Sequence, residues 1–173
     1  MTRRILLEGL VGRPATLPAP RPSADALAEL ARTVDRAARR RLGRSLSFRE
    51  VDAGSCNGCE LEIHALNNIV YDLERFGFHV VASPRHADVL LVTGPVTRNM
   101  AFALQRTWDC TPEPRWVVAV GDCAAGCGVF AGSYALAGET GAVSEVLPVH
   151  LHIRGCPPTP TQLLEGLLAL MEA

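Results

Sequence analysis

Two short apolar runs constrain the fold most: Asp88–Thr93 (DVLLVT) and Arg115–Val120 (RWVVAV). Neither alternates with polar residues. A strand built from either has apolar side chains on both faces and must be covered on both, which is the situation of a parallel sheet between helices. Each run is far shorter than the roughly 18 residues that would cross a bilayer. Helical patterns alternate with the strands. Ser23 caps a predicted helix reaching about Leu42, with Leu27, Leu30, Val34 and Ala38 in one narrow stripe and Gly43 at its end. A second helix is predicted over Glu60–Arg75, with Ile63, Leu66, Ile69, Val70 and Leu73 on one side. Others are predicted near Arg98–Trp108 and Pro160–Met171, and further strands over Leu46–Val51, Phe78–Ala82 and Val146–Ile153. This order predicts an α/β domain over residues 45–173, with a mainly parallel sheet and helices on both faces. Residues 1–44 are expected to form an N-terminal arm and amphipathic helix apart from it. Ligands of such sheets sit beyond the carboxyl ends of the strands.

Four cysteines fall where that rule puts a ligand. Cys56 and Cys59 form a CxxC in DAGSCNGCELEIHAL, Cys123 lies in VVAVGDCAAGCGVF, and Cys156 lies in IRGCPPTP. Each stretch reads as a loop after an apolar strand, so the three converge at one edge if those strands are neighbours. Four thiolates from such loops suit a 4Fe-4S cluster. Gly58 is expected to let the backbone bend close, and the helix start after it favours thiolate. Gly155, Pro157 and Pro158 make the last loop stiff. Structural zinc is a competing reading, although zinc sites of four cysteines usually carry two CxxC pairs. A dithiol redox pair is another, and it leaves Cys123 and Cys156 unused. Cys127 lies four residues after Cys123 and competes with it as third ligand. Cys110, beside Trp108, reads as a buried inert thiol.

The net charge of −1 hides an asymmetry. Residues 1–50 hold 11 Arg and 5 acids, a balance of +6, and residues 51–173 hold 6 Arg and 13 acids, a balance of −7. The basic part suits docking on an acidic partner or an anionic membrane surface; a solvated helix face explains it equally well. The start, MTRRILLEGLVGRP, lacks the apolar centre of an export signal, because Glu8 and Pro14 interrupt it. A cytoplasmic location is expected, and no nucleic-acid partner. Six cysteines in that setting argue for metal or redox chemistry over disulfides.

Taken together, SCNGCELEI, SPRHADVLLVTGPVT, VGDCAAGCGVF and RGCPPTP resemble the small subunit of membrane-associated, energy-converting nickel–iron hydrogenases, of the formate hydrogenlyase type. The same family includes the NADH-quinone oxidoreductase (complex I) subunit that carries the terminal cluster. The likeness covers about residues 46–170. It implies a flavodoxin-like fold, with Cys56, Cys59, Cys123 and Cys156 holding one cluster proximal to the nickel–iron site of a large subunit. It also implies further iron–sulfur and membrane subunits as partners, and a peripheral position on the cytoplasmic face of the inner membrane. The quinone-linked relative carries adjacent cysteines where this chain has Cys56 and Cys59 separated by two residues, so the spacing is the hydrogenase form. The resemblance brings Arg85 near the cluster, where its charge would raise the potential. Glu60 and Glu62 suit a helix N-terminus; proton relay in a hydrogen-evolving complex is the competing reading.

Overall fold

The computed structural model describes residues 24–173; the expected arm before Ser23 lies outside them. The elements are α1 (Ala24–Leu42), β1 (Ser47–Asp52), α2 (Gly58–Ala65), β2 (His79–Val80), β3 (Val89–Thr93), α3 (Arg98–Asp109), β4 (Trp116–Val120), β5 (Leu151–Ile153) and α4 (Pro160–Glu172). Short 3-10 turns lie at Leu73–Phe76, Pro84–His86 and Val143–Glu145. The five strands form one sheet in the order β2-β1-β3-β4-β5, and every pairing is parallel. Both apolar runs are central strands buried along their whole length. Each face of the sheet carries its own core. Phe48, Leu91 and Val118 face α1, α2 and α4, while Val51, Leu90, Val92 and Val117 face α3 through Leu104.

The stripe of α1 is not a free docking face. Leu27, Ala31, Val34 and Ala38 are buried in the same core as Leu163 and Leu167 of α4. Arg41 fixes the end of this pair. Its Nη1 donates to the Leu170 carbonyl at 2.8 Å, and its guanidinium lies 4.8 Å over the Trp116 ring. Part of the basic excess therefore serves this packing.

The helix expected over Glu60–Arg75 stops at Ala65. Asn68 turns the chain: its side-chain oxygen accepts the N–H groups of Val70 and Tyr71 at 2.8 and 3.1 Å. A side chain that satisfies the backbone locally competes with helix. Leu66 and Leu73 stay in the core, whereas Ile69 is 97% exposed and Val70 59%. The strand expected over Phe78–Ala82 shrinks to two exposed edge residues.

Candidate metal centre

The carboxyl ends of β1, β3, β4 and β5 bring the cysteine loops together. After β1, Asp52 Oδ1 accepts the N–H groups of Gly54 and Ser55 at 2.7 and 2.8 Å. This folds the chain back before the CxxC. Ser55 Oγ accepts the Asn57 N–H at 3.1 Å and donates to Glu60 Oε1. Asn57 takes a left-handed conformation with φ 69° and opens α2. Gly58 does not carry the bend; a Cβ there would sit 3.5 Å from Cys56 Sγ, an ordinary contact.

The loop after β4 needs its glycines. Gly121 has φ 88°, and a Cβ on it would lie 2.6 Å from Cys59 Sγ. A Cβ on Gly128 would lie 2.2 Å from Cys123 Sγ and 2.7 Å from the Cys123 nitrogen. Between them, Asp122 ties this loop to the one after β5. Its N–H donates to the Gly155 carbonyl at 2.9 Å, and its Oδ1 accepts the Gly155 N–H at 3.3 Å and faces Arg154 Nε at 2.7 Å. Cys156 then leads through a cis peptide to Pro157. Thr159 caps α4 in a reciprocal pair with Gln162.

All four candidate cysteines line one cavity of about 90 Å³, together with Gly58, Asp122, Gly155 and Pro157. Cys123 is buried, Cys59 half-buried, and Cys56 and Cys156 exposed, so the cavity opens on one side. Burial pushes the Cys59 thiol up to about 12, reinforced by Glu60 and then by the other three thiols. Burial raises Cys123 too, while the N–H groups of Val129 and Phe130 aim hydrogen bonds at its sulfur and act the other way. Four thiolates in a partly dry cavity would repel one another, so the site is a poor place for bare thiolates and a good one for thiolates bound to a metal cation. Among the described residues no group of three or more His, Cys, Asp or Glu is placed to hold a single metal ion; what the four thiols share is the lining of one cavity.

Cys127 stands outside this cavity. It is exposed, its sulfur accepting from Arg154 Nη2 at 2.9 Å. Cys110 is exposed as well, not buried. The expectation for Arg85 is overturned by topology. Pro84–His86 precedes β3, and the adjoining Asp88 accepts the Ser47 N–H at the start of β1. Arg85 is therefore at the amino edge, a strand length of about 16 Å from the cysteine loops. Sequence pattern did not single out Gly121, Gly128, Asp122 or Arg154. The glycines flanking Cys123 in VGDCAAGCG were the available signal for the first two.

Residues 56–170 match the family described as NADH ubiquinone oxidoreductase, 20 Kd subunit. Formate hydrogenlyase subunit 7 of Escherichia coli is 43% identical over 136 residues, which are 77% of this chain and 52% of that protein. A subunit of the NADH-quinone oxidoreductase of Akkermansia muciniphila is 47% identical over 113 residues, 65% of this chain and 56% of that one. The chain thus spans about half the length of these curated relatives. A chain in the structure of the membrane-bound sulfane sulfur reductase, an archaeal respiratory membrane complex, superimposes with TM-score 0.64 at 33% identity, covering 78% of this chain and 71% of that one. With a matching family model over most of its length and the fold in common, the chain belongs to the NADH ubiquinone oxidoreductase 20 Kd subunit family of oxidoreductase complexes.

Proposed function

We propose that Cys56, Cys59, Cys123 and Cys156 hold one 4Fe-4S cluster, and that the chain is an electron-transfer subunit adjoining the nickel–iron site of a hydrogenase-like large subunit. The observation that carries this is the meeting of four thiols, from three loops far apart in sequence, around a single cavity. A cluster bound there supplies reversible one-electron exchange. The protein's own groups do the rest. Val129 and Phe130 direct N–H groups at Cys123, Asp122 locks two ligand loops together, and Gly121 and Gly128 leave room for sulfur. Among the described residues no helix is long and apolar enough to cross a membrane. Attachment to the cytoplasmic face of the inner membrane then runs through partner subunits, and bond-making chemistry belongs to the large subunit.

The two-residue spacing within Cys56-Asn57-Gly58-Cys59 favours proton reduction or hydrogen oxidation. The 47% identity to a quinone oxidoreductase subunit supports transfer to quinone as the second reading. Anaerobic purification with iron and acid-labile sulfide analysis tests the cluster: four of each per chain are expected, with a paramagnetic signal on reduction. Cys→Ser at 56, 59, 123 or 156 should lower the iron, and at 110 or 127 should not. A colourless protein with one zinc refutes the reading. Hydrogen-dependent dye reduction by the whole complex separates hydrogenase from quinone chemistry.

A further inference from the structure

β1 outruns its outer neighbour. β2 pairs with it only at Ser47↔His79 and Phe48↔Val80, and the last ladder bond runs from the Val81 N–H to the Phe48 carbonyl. The chain then leaves the sheet for Pro84–His86. On its inner side β1 stays paired with β3 as far as Asp52. The Asp88 N–H donates to Ser47 O and the Ala53 N–H to Thr93 O, so odd-numbered residues address β3. Strand alternation turns the N–H and C=O groups of Glu50 and Asp52 outward. No described backbone group pairs with them there. The bare stretch is the half of β1 nearest the cysteine loops.

This edge is one wall of a groove of about 540 Å³, and Asn57, Glu60 and His64 of the α2 region form another. Among the described residues, two buried polar atoms of the groove find no hydrogen-bond partner, Arg49 Nε and Glu60 Oε2. Glu60 is 5% exposed, and Ser55 occupies its other oxygen only. Native proteins seldom leave such atoms unpaired. The groove is acidic: Glu50, Asp52 and Glu60 outweigh Arg49.

We propose that an extended segment of the catalytic partner subunit adds to this edge as a sixth strand, with a basic side chain reaching the free oxygen of Glu60. Main-chain pairing supplies attachment without sequence preference, and the buried carboxylate selects a charged donor. The inference rests on the reading of this chain as one member of a complex with a catalytic partner, and adds where and how that partner is gripped.

Hydrogen exchange read by mass spectrometry tests it, on the complex purified from cells and on the isolated full-length chain. The Glu50 and Asp52 amides should exchange roughly tenfold or more slowly in the complex than in the isolated chain. Glu60→Gln should weaken retention of the partner by roughly tenfold, the scale of a charge-assisted hydrogen bond, compared between samples matched for iron and sulfide per chain. Equal exchange in both samples, or undiminished retention by Glu60→Gln, overturns the inference. So does protection already present in the isolated chain that vanishes when residues 1–22 are removed, because the chain's own N-terminus then fills the edge. Iron and sulfide assayed on the same samples separate the failures. Missing metal defeats the cluster reading alone, and unprotected amides in an iron-loaded complex defeat the added strand alone.

Discussion

Gly128→Ala tests how tightly the loop around Cys123 is built. The new Cβ would lie 2.2 Å from Cys123 Sγ, whereas ordinary contact begins at 3.4 Å. Something must retreat by about 1.2 Å. The sulfur cannot yield alone, because the Cys123 nitrogen and Cα would be only 2.7 and 2.8 Å away. Overpacking against groups that cannot step aside costs about 1–3 kcal/mol. Alanine stiffens the unfolded chain and returns about 0.4–1 kcal/mol, so the clash wins. A net loss of about 1–2 kcal/mol lowers the melting temperature of a domain this size by roughly 2–8 °C. Displacing Cys123 should also lower iron per chain. Gly58→Ala is the control, since its Cβ meets only ordinary contacts at 3.5 and 3.9 Å. Differential scanning fluorimetry and iron analysis on the two variants decide the matter. If Gly128→Ala melts and binds iron like the parent, the close approach does not constrain the site.

Burial holds the Glu50 carboxyl above its ordinary 4.5. The unfolded chain gives up that proton first, so this group's contribution to stability is greatest below 4.5 and is lost as pH rises through the folded value. Glu50→Gln should therefore flatten the decline in melting temperature above pH 4.5; an unchanged pH profile would speak against it. Arg85→Met should leave the midpoint potential of the reduced signal where it was, because Arg85 is exposed at the far edge of the sheet. A redox titration that moved by tens of millivolts would restore Arg85 to the site.

The central strands were legible because burial on both faces leaves an unbroken apolar run, and Val89–Val92 and Trp116–Val120 could satisfy nothing else. Convergence of the cysteine loops followed from strand direction, since every parallel strand delivers its loop to the same edge. What failed turned on local competition or on distance. Ile69 and Val70 continue the helical spacing, and only the Asn68 side chain, bonding to the next turn, reverses it. Arg85 follows one strand and precedes another, and its position depends on how early β2 ends. The clamp of Asp122 on Gly155 joins residues 33 apart, and nothing periodic announces it. Spacing alone left Cys127 competing with Cys123, and nearness to the strand end favoured Cys123; Cys127 is absent from the cavity lining, its sulfur accepting from Arg154, 27 residues on.

The CxxC spans the start of α2, while Cys123 and Cys156 share a unit clamped by Asp122. Joining Cys56 to Cys156 through metal closes a loop of about 100 residues. A cross-link of that span removes unfolded-state entropy worth about 4.7 kcal/mol in the simple chain model. A cluster held as proposed would double as a staple across the molecule, fastening the first strand and its helix to the last, and a chain without it would lose that conformational restraint along with its electrons.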